Sequence, residues 1–279
     1  MTDPRETQTP PVEALLRRAV QLQQAGDLAR AEALYRRVLD SHPAHADALH
    51  LMGILCHQKG AGALGVGYIE RALARRPDSA LFHRNLGSVL LALGRPDKAA
   101  EHLRAALDAG PESAALHADL GTALSRAGDA TAAATHLARA LALGPGAPRL
   151  HSALGDALAD DGVLDRAEAA YRAALEMDPA YAPAHAGLGN VLRERGHLDD
   201  ALAHCRRAVE LAPEYAIGHA DLGRVLQELR RFDEAMAAYR AALAREPALQ
   251  RKVMKMISKG SAGRLWLHPS ALRHELTEA

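Results

Sequence analysis

Aromatic residues and cysteines are scarce in this sequence of 279 residues. It contains two Phe, one Trp and six Tyr, so its hydrophobic core must be built mainly from Leu, Ala and Val. Such a core suits closely packed helices. The two cysteines, Cys56 and Cys205, lie far apart and match no cysteine–histidine spacing of a zinc site. We therefore expect a reduced, intracellular chain that holds no metal and no cofactor.

An excess of charge and long apolar runs are missing too. The 34 basic and 34 acidic residues give a formal net charge of zero, so no overall field recruits nucleic acid or an anionic membrane. Residues 1–6 lack the basic and apolar regions of a secretion signal, and no run of about 18 uncharged apolar residues is present to span a bilayer. The sequence thus predicts a cytoplasmic protein that binds neither nucleic acid nor membrane.

Motifs of catalysis are also absent from the sequence. It has no phosphate loop, dinucleotide glycine motif, nucleophile elbow or zinc-protease motif. Acidic pairs such as Asp160 with Asp161, or Asp199 with Asp200, fall at predicted turns between helices. Capping and turn roles are commoner there than acid–base chemistry. We therefore predict that the chain is not an enzyme and has no catalytic residue.

What the sequence does contain is a repeat of 34 residues. Proline recurs at this interval at Pro43, Pro77, Pro111, Pro145, Pro179, Pro213 and Pro247. Glycine recurs at Gly53, Gly87, Gly121, Gly155, Gly189 and Gly223, and alanine at Ala72, Ala106, Ala140, Ala174, Ala208 and Ala242. Several residue types in one fixed register indicate stacked copies of a single structural unit.

Each copy has the pattern of two helices joined by a turn. In residues 182–215, apolar residues at helical spacing stand on both sides of Gly196. A glycine there can end the first helix in a left-handed conformation, whereas Arg230 takes this place in the last copy and predicts a strained or altered turn. The recurring proline ends the second helix. We expect the second helix of the second copy to be the least stable, because it contains three glycines: Gly62, Gly65 and Gly67.

These residues, with Leu-Gly pairs at 86–87, 120–121, 154–155, 188–189 and 222–223, resemble the tetratricopeptide repeat pattern. The resemblance implies an all-α fold, a right-handed α-solenoid whose first helices line a concave groove. It divides the chain into a flexible segment 1–11, seven repeats, and a segment 250–279. The repeats are 12–45, 46–79, 80–113, 114–147, 148–181, 182–215 and 216–249. They are also similar to the repeats of bacterial arrays that precede O-linked N-acetylglucosamine-transferase-like or sulfotransferase domains.

The resemblance also implies which side chains face a partner. The usual groove positions of the first helices give the predicted contacts Leu16, Val20, His50, Ile54, Arg84, Asn85, Ser88, Asp119, Asp156, Asn190, Arg193, Arg224 and Gln227. The early contacts are comparatively apolar and the later ones polar, so one ligand could meet both kinds of surface, or the gradient could be chance. Three of them, Arg84, Asn85 and Ser88, loosely match the residues with which some relatives clamp a terminal carboxylate.

Histidine occupies the fourth position of five consecutive copies, as His83, His117, His151, His185 and His219. Neighbouring helices lie about 8–10 Å apart, which places adjacent members poorly for sharing a zinc ion. Two interpretations stay open: packing imidazoles that are each hydrogen-bonded to a neighbour, or a set that titrates together and makes stability pH-dependent. A second histidine position, on second helices, is expected on the convex surface; it holds His102, His136 and His204.

Residues 250–279 differ from the repeats in being rich in basic residues. Residues 249–258 fit an amphipathic helix with Val253, Met256 and Ile257 on one side, which predicts a cap for the last repeat. Farther on, Trp266 stands between two leucines, a pattern typical of an interface anchor. We expect the segment around it to dock on its own array or to insert into a partner.

Together these patterns predict a non-catalytic scaffold or adaptor that binds a protein or peptide in its concave groove. A rigid groove binds an extended or helical peptide with little loss of its own entropy. Two alternatives stay open. The chain is an accessory or substrate-presenting subunit of a glycosyltransferase or similar modifying enzyme, or it is a homo-oligomeric structural scaffold.

Overall fold

The computed structural model describes residues 11–259. Trp266, the rest of the segment 260–279, and residues 1–10 lie outside this range, so the predictions made for them stay predictions. Within it the chain is entirely helical, with fifteen α-helices and one 3-10 turn and no strand. It forms two compact units, which divide between Leu143 and Gly144.

The first unit contains four antiparallel pairs of consecutive helices. The bounds are α1 Val12–Gln24, α2 Leu28–Ser41, α3 Ala46–Gln58, α4 Gly62–Leu73, α5 Ala80–Ala92, α6 Pro96–Ala109, α7 Ala114–Ala127 and α8 Ala130–Leu143. Each helix packs on its partner in the pair, and successive first helices also pack on one another. This stacking of helix pairs is an α-solenoid.

The second unit continues the same plan with three pairs and an additional helix. The bounds are α9 Pro148–Asp160, α10 Leu164–Met177, α11 Ala182–Glu194, α12 Leu198–Leu211, α13 Ala216–Glu228, α14 Phe232–Arg245, the 3-10 turn Pro247–Leu249, and α15 Gln250–Lys259. The last helix packs on α13, where Val253 is fully buried and Met256 almost so.

Left-handed residues close the turns inside the helix pairs. Six are glycines with φ between 69° and 90°. Arg230 holds the same place with φ of 60°. Its turn keeps the hydrogen bonds of the others, since the Arg230 N–H donates to the Gln227 carbonyl (3.0 Å) and the Arg231 N–H to the Leu226 carbonyl (2.9 Å). A left-handed residue with a side chain costs about 1–2 kcal/mol, so this turn is strained but not altered.

Small residues let the two helices of a pair approach closely. Where α3 crosses α4, a Cβ on Gly53 would lie 2.8 Å from the Gly65 carbonyl oxygen, and a Cβ on Gly65 would lie 2.6 Å from the Gly53 carbonyl oxygen. Gly67, in the same helix, has nothing within 4 Å of its Cβ position. Gly65 is therefore required by packing, whereas Gly67 only weakens the helix.

Leucine and alanine fill the cores, as the shortage of aromatic residues predicts. The recurring alanines have no exposed surface at Ala72, Ala106, Ala140, Ala174, Ala208 and Ala242. The two cysteines, Cys56 and Cys205, are free and buried, and burial raises the pKa of both thiols. They act as small apolar side chains. Among the described helices, none combines the length and the apolar character needed to cross a membrane.

Candidate binding groove

Two adjoining cavities open on the face of the second unit that is formed by its first helices. One measures about 460 Å³ and is lined mainly by α9, α11 and α13, with α15 at one side. The other, about 470 Å³, is lined by α11, α13 and α15. Glu194, Arg224, Lys252 and Met256 line both. The two cavities therefore form one groove, here called the second-unit groove.

Acidic and aromatic side chains line one end of this groove. The Tyr171 hydroxyl donates a hydrogen bond to Asp156 Oδ1 at 2.7 Å. Asp156 is exposed to solvent, but the walls of the groove partly desolvate its carboxylate. This desolvation, with the nearby Asp160 and Asp221, raises the pKa of Asp156, while the bond from Tyr171 lowers it. Gly187 makes the arrangement possible, because a Cβ there would lie 2.3 Å from a Tyr171 ring carbon.

A buried carboxylate lies at the centre of the groove. Asp221 is 4% exposed and accepts a hydrogen bond from Asn190, whose own Oδ1 accepts one from Arg224 Nη2 at 2.6 Å. Burial raises the pKa of Asp221, and the Arg224 cation opposes that rise. An amide thus links a buried acid to a guanidinium, and this fixes the orientation of all three side chains.

Basic side chains line the other end, where Arg193, Arg224, Lys252 and Lys255 converge. Arg193 forms ion pairs with two carboxylates. Its Nη1 lies 2.7 Å from Oε1 of Glu228, and its Nη2 lies 2.8 Å from Oε1 of Glu194, the next residue on its own helix. The Nε atoms of Arg193 and Arg224 are buried and form no hydrogen bond with the described residues. Four basic side chains against Glu194 and Glu228 leave this end of the groove with an excess of positive charge.

A single glutamine ties α15 to the wall of the groove. Gln227 is 8% exposed, and its Oε1 accepts a hydrogen bond from the Tyr239 hydroxyl at 2.8 Å. Its Nε2 donates to the Ile257 carbonyl at 3.0 Å. The sequence predicted Gln227 as a ligand contact, whereas the structure uses its side chain to connect α13, α14 and α15.

The predicted groove residues of the first unit are largely engaged with one another. Arg84 Nε donates to Asp119 Oδ2 at 3.1 Å, and Asn85 Nδ2 donates to His50 Nε2 at 2.8 Å. Two of the three residues of the loosely matched carboxylate clamp, Arg84 and Asn85, therefore already have partners inside the protein. The remaining clamp residue, Ser88, is exposed and donates to the Arg84 carbonyl at 3.2 Å.

Burial separates the other first-unit residues into two groups. Leu16 belongs to the hydrophobic core and His50 is 4% exposed, stacked on Phe82 with ring centroids 4.4 Å apart. Val20 and Ile54 are half-buried. Asp156, Asn190, Arg193, Arg224 and Gln227, by contrast, all line the second-unit groove.

Several residues of the second-unit groove were not found from the sequence, among them Tyr171, Tyr215, Lys252 and Met256. The tyrosines come from a second helix and a connection, outside the positions usually assigned to a groove. The two others come from α15, which lies beyond the repeats. Gly187 was the one available signal, since a glycine at a groove position makes room for a large neighbouring side chain.

Metal binding finds no support in the described part of the chain, where no three His, Cys, Asp or Glu side chains are grouped to hold an ion. This applies to the recurring histidines as well.

Comparisons with known proteins agree with this architecture. Family models described as tetratricopeptide repeat match residues 16–80, 63–114 and 153–216, and a second set matches 90–157 and 192–254. No curated protein matches the sequence. Repeats of this type generally mediate protein–protein interaction and scaffolding and are generally non-catalytic.

Solved structures resemble the chain in fold at low sequence identity. A tetratricopeptide repeat protein from Parabacteroides merdae has a TM-score of 0.70 and 16% identity, covering 88% of this chain and 98% of that one. YrrB, described as having an unusual peptide-binding site, has a TM-score of 0.58 and 22% identity over 66% of this chain and 95% of its own. A chain of the APC/C hetero-tetramer Cut9–Hcn1 has a TM-score of 0.65 and 17% identity, covering 91% of this chain and 50% of that one. The helix pairs, their left-handed turns and the matched models together show that the chain belongs to the tetratricopeptide repeat family.

Proposed function

We propose that this chain is a cytoplasmic, non-catalytic adaptor that holds a peptide segment of a partner protein in the second-unit groove. In this proposal seven repeats, 12–249, form the scaffold and α15 caps the last of them. One observation carries it: an acidic, aromatic cavity and a basic cavity adjoin on one face and share side chains. The groove is preorganised, because its side chains are fixed by hydrogen bonds before a ligand arrives.

The charges of the groove favour a segment that is itself of mixed charge. A basic side chain of the ligand fits the acidic end, where Asp160 is exposed and the Tyr215 ring lines the wall. Cations bind well beside both carboxylates and aromatic faces. An acidic side chain fits the other end, where Lys252 is exposed beside Arg193. The ligand would therefore carry basic residues on one side of its centre and acidic residues on the other.

The first unit contributes less to this proposal. Val20, Ile54 and Ser88 stay proposed ligand contacts on the surface of the first unit itself. Arg84, Asn85 and Asp119 are proposed to shape that surface through the contacts that they make with each other and with His50.

Binding of short fluorescein-labelled peptides, measured by anisotropy, tests the proposal. One peptide has a basic block followed by an acidic block, a second has the reverse order, and a third is a scrambled sequence of equal composition. We expect one block order to bind best. Asp160→Lys and Lys252→Glu should each weaken that binding about tenfold, since losing one exposed charge contact and adding a repulsion costs about 1.4 kcal/mol.

Matched controls lie on the exposed surface of the first unit: Asp108→Lys and Lys98→Glu make the same charge changes away from the groove. The proposal is refuted if the controls weaken binding as much as the groove variants, or if all three peptides bind equally.

A pull-down with mass spectrometry identifies the natural partner, and it also separates the alternatives. Repeating it with Arg193 and Arg224 both changed to Glu should remove a partner that is held by the groove. A modifying enzyme such as a glycosyltransferase that copurifies regardless of this change would favour an accessory subunit. A size that grows with protein concentration would favour a homo-oligomeric scaffold.

A further inference from the structure

Three histidine pairs recur in the two units, each with one member on a first helix and one on the following second helix. The Nδ1 atoms are 3.0 Å apart in His83–His102, 2.8 Å in His117–His136 and 2.9 Å in His185–His204. In every pair the two residues are 19 positions apart. The residues expected on the convex surface are thus half-buried partners of the first-helix histidines.

The rings in each pair meet end to end. Their centroids are 5.1 to 5.2 Å apart and the planes differ by 26° to 33°. This centroid distance is close to the sum of the Nδ1–Nδ1 distance and the two ring radii, so both Nδ1 atoms lie on the line between the centroids. Lone pairs that point along this line suit an N–H···N hydrogen bond, whereas two ligands of one metal must point to a third place.

The contacts of Nε2 in the first-helix histidines determine which ring nitrogen carries the proton. His83 Nε2 lies 2.8 Å from the Pro77 carbonyl, and His185 Nε2 lies 3.1 Å from the Pro179 carbonyl. His117 Nε2 instead faces the carboxylate of Glu112 at 2.8 Å. Carbonyl and carboxylate oxygens only accept, so Nε2 carries the proton in all three.

A neutral imidazole has one donor nitrogen and one acceptor nitrogen. With Nε2 as the donor, Nδ1 of each first-helix histidine must accept. The second-helix partner therefore donates from its own Nδ1, and its Nε2 is the nitrogen without a proton.

We propose that each of these pairs is a proton-binding site that takes up one proton and excludes the second. The first proton adds to Nε2 of the second-helix histidine and leaves the N–H···N bond intact. A second proton would have to add to Nδ1 of the first-helix histidine, which would replace the hydrogen bond by two N–H groups and two positive charges in contact. The two imidazoles thus titrate as one coupled unit.

The charges around the pairs agree with the exclusion of a second proton. Desolvation, and then the partner imidazole, lower the pKa of His102, His136 and His204. Around the first pair lie Glu101, Glu70 and Lys98, and around the second lie Arg104, Glu112 and Arg139. Around the third lie Asp200 and Arg172. None of these sets cancels the effect of burial and of the partner ring.

The consequence for stability follows from the difference in bound protons. In the unfolded chain both imidazoles titrate near pH 6.5, so each pair takes up two protons below that pH. The folded pair takes up one. Below about pH 6.5 the unfolded state therefore binds about one more proton per pair, and acid favours opening of the three helix pairs that contain them.

The chain contains its own controls. His151 and His219 occupy the same first-helix position, but Ala170 and Ala238 stand 19 residues later, where the partner histidine would be. His219 Nε2 makes the usual contact, 2.8 Å from the Pro213 carbonyl. It therefore has the geometry of a pair member without the pair.

Potentiometric titration of the full chain, folded and in urea, counts the protons bound at pH 5. Each of His102→Asn, His136→Asn and His204→Asn should reduce the extra proton uptake of the unfolded state by about one, and the triple variant by about three. Asn removes the second imidazole, and its amide can turn its oxygen toward Nδ1 of the first-helix histidine, which can then take up its own proton in the folded chain. His219→Asn should leave the extra proton uptake of the unfolded state unchanged, and Ala238→His should increase it by about one proton.

A second measurement needs no variant. Imidazole ¹⁵N NMR of the folded wild-type chain should show Nδ1 of His83, His117 and His185 without a proton at pH 7.5, and one charged ring per pair at pH 5. The proposal is overturned if both rings of a pair are charged in the folded chain at pH 5, or if His219→Asn lowers the extra proton uptake of the unfolded state as much as a pair variant does.

Discussion

The crossing of α3 and α4 predicts opposite effects for the same substitution at two glycines. Gly53→Ala places a Cβ 2.5 Å from Ile69 Cγ1 and 2.8 Å from the Gly65 carbonyl oxygen. The oxygen belongs to a helix backbone, so it cannot turn aside as a flexible side chain can. Gly67→Ala places a Cβ where nothing lies within 4 Å. The two substitutions add the same methyl group to the same pair of helices.

The expected magnitudes follow from two effects. Alanine in place of glycine inside a helix stabilises by about 0.5–1 kcal/mol, and this gain applies to both sites. Overpacking a close helix contact costs about 1–3 kcal/mol, and this loss applies only to Gly53. Gly67→Ala should therefore raise the free energy of unfolding by about 0.5–1 kcal/mol, and Gly53→Ala should lower it by about 1–2 kcal/mol.

Urea unfolding followed by circular dichroism measures both changes. With a slope of about 2 kcal/mol/M, the midpoint should rise by about 0.3–0.5 M for Gly67→Ala and fall by about 0.5–1 M for Gly53→Ala. Equal shifts of the same sign would refute the reasoning, because helix propensity alone would then account for both glycines.

Three further predictions concern single residues. Burial lowers the pKa of His50 to about 4, so the folded chain resists its protonation and about 3 kcal/mol of stability is lost as the pH falls from 6.5 to about 4; a pKa near 6 by NMR would contradict this. Arg230→Gly should stabilise by about 1 kcal/mol, since it removes the side chain from a left-handed turn, and an unchanged melting temperature would argue against strain there. A thiol reagent should modify Cys56, which is 7% exposed, well before Cys205, which has no exposed surface; equal rates under native conditions would show that the second unit opens as readily as the first.

Much of the architecture could be predicted because the sequence signals that determine it act locally and recur in each repeat. A glycine that ends a helix, a proline that stops the next one and an alanine at a crossing each act through the backbone beside them, as at Gly196, Pro213 and Ala208. Even the exception could be located, since Arg230 stands in the glycine register. The conformation of that turn could not be predicted, because the choice between strain and rearrangement depends on the hydrogen bonds that the turn retains.

The binding and proton sites were harder to predict because they depend on side-chain directions. His83 and His102 were visible as members of two separate sets, but the contact between them requires the crossing of two helices and the rotamers of both rings. Tyr171 is almost fully buried, and its hydroxyl reaches Asp156 only because Gly187 leaves the space. A sequence pattern marks which positions recur and leaves open which of them meet.

The histidine pairs lie entirely within single helix hairpins, and this makes them transferable parts. Duplicating the segment that holds α5 and α6, for instance, would copy His83, His102 and the bond between them, with the carbonyl of Pro77 supplied by the preceding turn. Arrays lengthened or shortened by whole repeats should then gain or lose proton sites in whole numbers. Acid sensitivity becomes a property that recombination can adjust one hairpin at a time, without any change to the groove.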